Sequence, residues 1–454
     1  MYSKIQTDKY FQAIARYNQR VSEYGHHQVS ERGLLAIPAG RQAERREAER
    51  HAVPAPREAE ISGDTGGGSP PAASGYRPVV PGEISAGRRR SRGLLLGLAL
   101  GDAIGAGSCA AGRRSTSYSA LPPTVVTQLT LFTVDGLIRA SVGTRHRGPC
   151  HTPSVVWHAY ARWAKLQDVA APGLYAAWRP RAGARWPDGW LADVPALRLR
   201  RGSAPATVHA LARERPGTRQ EPATASTGAH ALTRTWPVGL LPVADVATLA
   251  ADLAALTHTG EAVAAAAVGA GIIRALSAGG AGAMAAGDAD EALAGAVDAA
   301  LRPAVALPVV RRVRKAVDAA AADPASETVL CRLAPDLTAV SALAGAVYVA
   351  MSMPGSRQVA DALTLAARAP GACDVAASVG AILGAVHGVS ALPVQLVSRL
   401  ELVWVTDVLA RDLVQQLSST LDGRGASAGT EPGAAAAGAE PRPEPDWLDR
   451  YPGW

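Results

Sequence analysis

An all-α protein, a single large orthogonal helical bundle with disordered arms at both ends, is what this 454-residue sequence predicts. Three observations carry that reading. Alanine dominates the middle of the chain, and alanine is the strongest helix former. Aromatic residues make up only 5%, too few to fill the pleated faces of a β-sandwich or barrel. Apolar residues recur at helical spacing, and no segment reads as a convincing strand. The length is about three times that of a usual single domain, so the middle can bury a sizeable core.

The first 90 residues read as an extension. Residues 5–24 fit one short helix, with Ile5, Phe11, Ile14, Ala15 and Val21 loosely spaced. From about 38 the chain runs AERREAER, PAPREAE and GDTGGGSPPAASG. Such a segment cannot bury enough apolar area to offset its chain entropy, so it reads as a disordered linker up to about residue 90. The RRRSR run at 88–92 then reads as the solvated end of that linker, the alternative being contact with an anionic surface.

The folded domain is expected over 91–421. It opens with GLLLGLALGDAIGAG, where Gly93, Gly97, Gly101 and Gly105 form a strict i, i+4 series. On a helix these make one smooth stripe against which another backbone can lie. Leu94, Leu95, Leu98 and Leu100 surround the stripe, so the helix is buried nearly all round, and Asp102 is a carboxylate inside it that requires partners. A second helix follows a Pro-Pro turn over 127–139, with Leu131, Val134 and Ile138 on one face. Residues 151–236 are mixed and loop-rich, with six tryptophans, and 245–322 read as alanine-rich helices. The last core helix carries Gly380, Gly384 and Gly388, again four apart. From 422 to 454 the chain is a low-complexity tail that closes with DWLDRYPGW, whose aromatics can dock back on the body.

Composition excludes several functions. The formal net charge is +7, but residues 1–93 hold 15 basic and 10 acidic residues, so the body is nearly balanced. No basic face interleaved with aromatic readers is visible, which argues against nucleic acid. Cys109, Cys150, Cys331 and Cys373 are far apart in sequence, which excludes a zinc ribbon or a local redox pair, and nothing in their spacing suggests a disulfide scaffold. A reducing cytoplasm is the expected location. The N-terminus lacks the apolar core of a signal peptide. Two uncharged stretches, 337–356 and 375–398, are long enough to span a bilayer, but both are rich in Ala, Gly and Ser and contain a proline, so they are expected to be buried helices.

Five ordered segments, GLLLGLALGDAIGAG, TQLTLFTVDGLIRA, STGAHALTRTWPVGL, ALTH and ILGAVHG, resemble the ADP-ribosylglycohydrolase family, the relatives of dinitrogenase-reductase-activating glycohydrolase. The resemblance implies an all-helical hydrolase that cleaves the glycosidic bond between ADP-ribose and a protein side chain, or a related linkage. It implies two Mg²⁺ ions held by carboxylates and threonine hydroxyls, a donor set suited to a hard cation. It also implies ligand contacts for Ser226, Thr227 and Gly228, the loop along the ADP-ribose, and for His258, near the diphosphate.

The sequence departs from the family at the metal motifs. The T-D-D-T position reads Thr124, Val125, Val126, Thr127, and valine has no lone pair to give. The D-x-D-[ST] position falls on Gly371, Ala372, Cys373, Asp374, Val375: both acids are lost, at Gly371 and Cys373, and the hydroxyl has become Val375. The acid after G-D-A-x-G corresponds to Cys109. Of the expected ligands Thr124 survives, with Asp374 one place out of register. No metal cofactor is therefore expected, and the leading expectation is a non-catalytic member that binds ADP-ribose, a nucleotide or a protein partner such as an ADP-ribosylated protein. The alternatives are an active hydrolase that uses Asp102, Asp374 or another acid, and an interaction module whose pocket is filled by side chains such as Trp236 and His230. Asp102 itself reads as a buried acceptor that fixes neighbouring loops, and only secondarily as catalytic.

Overall fold

The structure, a computed structural model, describes residues 81–109, 120–177, 186–213, 215–278, 288–302, 306–423 and 447–452. The helix expected at 5–24, the linker from 38 to 80 and the low-complexity stretch 424–446 lie outside the described residues. The described chain is helical throughout, with no strand and two isolated bridges, Leu121 with Leu400 and Gly228 with Thr338. The helices are α1 (Pro81–Cys109), α2 (Val125–Arg147), α3 (Thr152–Leu166), α4 (Pro172–Ala177), α5 (Pro205–Ala212), α6 (His230–Thr233), α7 (Val246–Ala255), α8 (Glu261–Ala278) and α9 (Asp288–Leu301). They continue with α10 (Leu307–Ala322), α11 (Glu327–Leu333), α12 (Ala339–Ser352), α13 (Val359–Ala366), α14 (Ala372–His387), α15 (Val394–Val397), α16 (Val403–Gly423) and α17 (Trp447–Arg450).

The α1 helix starts at Pro81, where the sequence reading has linker. Proline suits a first helical position, because its fixed φ fits and its missing N–H had no intrahelical partner anyway. The basic run is part of this helix and is anchored by residues remote in sequence. Arg90 Nη1 donates to the Ser277 carbonyl at 2.9 Å, Ser91 Oγ to the Ala410 carbonyl at 2.9 Å, and Arg92 pairs with Asp407 at 2.6 Å. Composition alone reads as linker here because none of those partners is local.

The centre of the bundle is the antiparallel contact of α1 with α14. A Cβ built on Gly97 would collide with the Gly380 carbonyl, one on Gly101 with that of Ala376, and one on Gly93 with that of Gly384. The clash is reciprocal, since a Cβ on Gly380 or Gly384 would strike the Gly97 or Gly93 carbonyl. The two glycine series read from the sequence therefore face each other, and the backbones touch through Cα–H and carbonyl groups. The remaining helices wrap this pair. The α2 helix packs on α3, α16 crosses both α1 and α2, α12 lies on α14 and α10, and α8 lies between α7 and α9.

The uncharged stretch 337–356 holds α12, of 14 residues, and 375–398 holds most of α14, of 16 residues; the side chains of both helices are largely buried. Among the described residues, two helices are long and apolar enough to cross a membrane, α2 and α8. The second helix begins at Val125, two residues ahead of the expected start, because Thr124 caps it: Thr124 Oγ1 accepts from Val126 N at 3.1 Å.

The closing segment docks on the body. Trp447 Nε1 donates to Gln416 Oε1 at 3.1 Å and the Tyr451 hydroxyl to Asp412 Oδ2 at 2.7 Å. Arg450 pairs with the same Asp412 at 2.9 Å and lies 4.8 Å over the Trp190 ring. Beneath it, Arg139 bonds Asp135 at 2.8 Å, the Asp188 carbonyl at 3.1 Å and the Pro452 carbonyl at 3.3 Å, while Arg162 pairs with the Asp188 carboxylate. Buried charges are tolerated here because each is hydrogen-bonded to an opposite charge or a carbonyl.

Two stability outcomes follow from this packing. Replacing Gly97→Ala should cost at least about 2 kcal/mol in chemical denaturation, because backbone must move to admit the methyl group. The control Gly295→Ala, where a Cβ meets nothing within 4 Å, should be neutral or stabilising by up to about 1 kcal/mol. Tyr451→Phe should cost about 1–2 kcal/mol, and an unchanged denaturation midpoint would show that the tail is not bound in solution.

Candidate functional site

The candidate residues gather around the last turns of α1, at the N-termini of α2 and α14. Asp102 is fully buried, and its carboxylate is surrounded by donors from the start of α2. Oδ2 accepts from Thr124 N at 2.7 Å, Thr127 N at 3.1 Å and Thr127 Oγ1 at 2.7 Å, and Oδ1 accepts from Thr124 Oγ1 at 2.6 Å. The first N–H groups of a helix have no intrahelical acceptor, so Asp102 acts as an external cap for α2 and its lone pairs are largely taken. Burial still pushes its carboxyl up to about 6, against the pull of those donors.

Val125 and Val126 are buried. Val125 N donates to the Arg201 carbonyl at 3.2 Å, and Gln128 Nε2 to the Leu199 carbonyl at 2.9 Å. A Cβ on Gly202 would meet Val125 Cγ1 at 2.7 Å, so this glycine lies flat on the valine. The segment 199–202 thus closes over the start of α2, and the Arg201–Glu401 pair, 2.6 and 2.7 Å from Nη2 to the two oxygens, fastens it.

At α14, Gly371 occupies the N-cap position without a side chain to cap with, and the Asp336 carbonyl and Leu337 pass 3.6 Å from where its Cβ would be. Val375 is fully buried against Gly345. Cys373 is half-buried, and its Cα lies 2.7 Å from the position of a Cβ on Gly105. The side chain of Cys109 lies outside the described residues. Asp374 is buried, its Oδ1 has no hydrogen-bond partner among the described residues, and burial alone pushes its carboxyl up to about 7.

The loop Ser226–Gly228 is stitched to both sides. Thr259 N donates to the Ser226 carbonyl at 2.9 Å and Ala339 N to the Thr227 carbonyl at 2.9 Å, while Ala229 N donates to the Leu337 carbonyl at 3.0 Å. Gly228 N donates to Ser226 Oγ at 3.2 Å. His258 faces this loop: Nε2 stands 3.6 Å from the position of a Cβ on Gly228. Its ring is buried and neutral, because burial first, and then Arg234 and His230, hold its pKa well below the ordinary 6.5. His230 is half-buried and is lowered to about 4 by burial and by Arg234, against the opposing field of Asp102. Trp236 is core rather than rim: its Nε1 donates to Ser378 Oγ at 3.1 Å and its ring covers Gly269.

Sequence reasoning missed three features. Segment 199–202 carries no motif. Arg234 stands in the quoted STGAHALTRTWPVGL without any pattern that marks it out. It is fully buried, with Nη2 donating to the Leu253 carbonyl at 3.0 Å and to Thr257 Oγ1 at 2.7 Å, and its guanidinium lies 4.6 Å over the Tyr160 ring. The α7 C-terminus and the ring face therefore balance its charge. Thr257, next to His258, is the third.

Chemically, the arrangement offers neutral donors and backbone groups to a ligand. Among the described residues no three His, Cys, Asp or Glu side chains come together as a metal cage would require. Of the oxygen donors near the start of α2, Asp102, Thr124 and Thr127 are engaged with one another. That donor set does not fit a pair of magnesium ions.

A family model described as ADP-ribosylglycohydrolase matches residues 84–423. Among solved structures, 44 chains match. One, titled "ADP-ribosylglycohydrolase-related protein complex", is 21% identical, with the match covering 73% of this chain and 99% of that one at a TM-score of 0.47. No curated protein matches.

Asp102→Ala should cost about 2–4 kcal/mol in urea denaturation, since it strands two helix N–H groups and two hydroxyls at once. A loss below about 0.5 kcal/mol would deny the capping role. The two buried acids also set a pH dependence. Their folded pKa values, about 6 and about 7, lie above the ordinary 3.8, so the folded state holds the extra protons. Their contribution to stability is full below about pH 4 and is lost as pH rises through 6 and 7. Asp374→Asn should flatten this fall, as read from denaturation midpoints between pH 4 and 8.

Proposed function

We propose that this chain, which belongs to the ADP-ribosylglycohydrolase family, holds ADP-ribose or an ADP-ribosylated protein without hydrolysing it. The observation that carries the reading is the start of α2: two buried valines, with the neighbouring aspartate committed to four donors. Hydrocarbon side chains cannot replace the hydration shell of a divalent cation, and the one acid at hand is already satisfied by helix N–H groups and hydroxyls. Losing either metal motif alone would leave half a site. Here α14 starts with Gly371, Cys373 and Val375 as well, so no polarising ion would act on the glycosidic bond.

Recognition does not need that ion. The Ser226–Gly228 loop keeps its polar groups and its close seat against His258, and a neutral imidazole can donate to a ligand oxygen. These groups can hold a diphosphate and ribose while leaving the bond intact. The competing hydrolase reading rests on Asp374, a buried carboxyl with one oxygen unpartnered and a pKa near neutrality, suited to a general acid.

Calorimetry with ADP-ribose, run with Mg²⁺ and then with EDTA, separates the readings. Binding of equal strength in both buffers is expected, together with no release of ADP-ribose from arginine- or serine-modified protein. Magnesium-dependent tightening, or turnover that EDTA abolishes, would overturn the non-catalytic reading. Turnover that survives EDTA and is lost in Asp374→Asn would establish the metal-free hydrolase.

A further inference from the structure

His258 has a partner at one ring nitrogen only. Nδ1 lies 2.7 Å from Thr257 Oγ1, and Nε2 meets no hydrogen-bond partner among the described residues, although the residue is buried and the ring faces Gly228. Which nitrogen holds the proton decides whether this ring offers a donor or an acceptor to a ligand. The answer comes from one residue further back. Arg234 Nη2 donates to Thr257 Oγ1 at 2.7 Å, and a guanidinium has no acceptor to offer in return. The threonine hydroxyl has a single hydrogen, and among the described residues His258 Nδ1 is the acceptor within its reach; were Nδ1 to donate instead, that hydrogen would be left unpaired. With Nδ1 accepting, a neutral ring carries its proton on Nε2.

We infer that Arg234 and Thr257 are positioning residues that lock His258 as the Nε2–H tautomer, a fixed uncharged donor aimed along the Ser226–Gly228 loop at an acceptor oxygen of the bound ligand. The ligand itself rests on the proposed function; the relay does not. Arg234 is held in turn by the carbonyls that end α7 and by the Tyr160 ring, so the relay is anchored to a helix terminus and cannot rotate freely. A donor prepared in this way costs little reorganisation when a ligand oxygen arrives.

The test reads the ring directly. Multiple-bond ¹H–¹⁵N spectra of the full chain report the tautomer of each histidine, and His258→Gln assigns the signal among the 10 histidines. The Nε2–H pattern is expected for His258. Thr257→Ser should keep it, and Thr257→Val, which removes the hydroxyl at nearly constant volume, should lose it. In calorimetry with ADP-ribose, Thr257→Val should bind about tenfold more weakly than the native chain, and Thr257→Ser nearly as well as the native chain. An Nδ1–H pattern in the native chain would overturn the relay, and so would an unchanged pattern in Thr257→Val. Absence of ADP-ribose binding in the native chain would overturn the proposed function alone, since the spectra need no ligand.

Discussion

The glycine-faced contact of α1 with α14 is the constraint on which the rest of the molecule depends. Four turns of α1 present Gly93, Gly97, Gly101 and Gly105 to the backbone of α14, and no side chain fits between them. Such a contact has no adjustable parts. It fixes the axial register of the two helices, and with it the height of Asp102 relative to the first turn of α14. Asp102 is one residue beyond Gly101, so it emerges beside the glycine seam at the level where α2 begins. The capping of α2 by Asp102 and the seating of Asp374 are both consequences of that register.

Within this frame, one acid caps a helix. A buried carboxylate needs compensation, and the start of a helix supplies unsatisfied N–H groups. Asp102 and the α2 terminus solve each other's problem, with Thr124 and Thr127 adding hydroxyls. A cation between the same groups would have to displace these bonds, and the valines between the threonines would contribute nothing to it. Asp374 is the opposite case. It is buried with one oxygen unpartnered, which is why burial alone shifts it and why it is the residue on which a residual chemistry would have to depend.

Two arginines show how differently buried charge can be used. Arg139 lies in an ion network under the docked tail, where it bonds Asp135, Asp188 and the Pro452 carbonyl, and so joins α2, the 188–190 loop and the C-terminus. Arg234 bonds no carboxylate among the described residues. Its charge is met by the end of α7 and an aromatic face, and its third contact is with the threonine beside His258. The first arrangement serves cohesion; the second adds a direction to the hydrogen bond that a ligand would meet.

The sequence by itself determined the all-helical class, the glycine series that became the central seam and the family, and it puts valines, a glycine and a cysteine where the family resemblance leads one to expect acids. Those properties are local: alanine content, four-residue spacing and the identity of single side chains can all be read without knowing what touches what. The start of α1 at Pro81 was not legible, because the partners of Arg90, Ser91 and Arg92 lie far away along the chain. Nor were the closure of 199–202 over Val125, the four-donor environment of Asp102 and the Arg234–Thr257–His258 relay. Each is a hydrogen-bond pattern between groups distant in sequence or oriented by a third residue. Direction and distance between such groups exist only once the helices have packed, so tertiary structure alone could decide them.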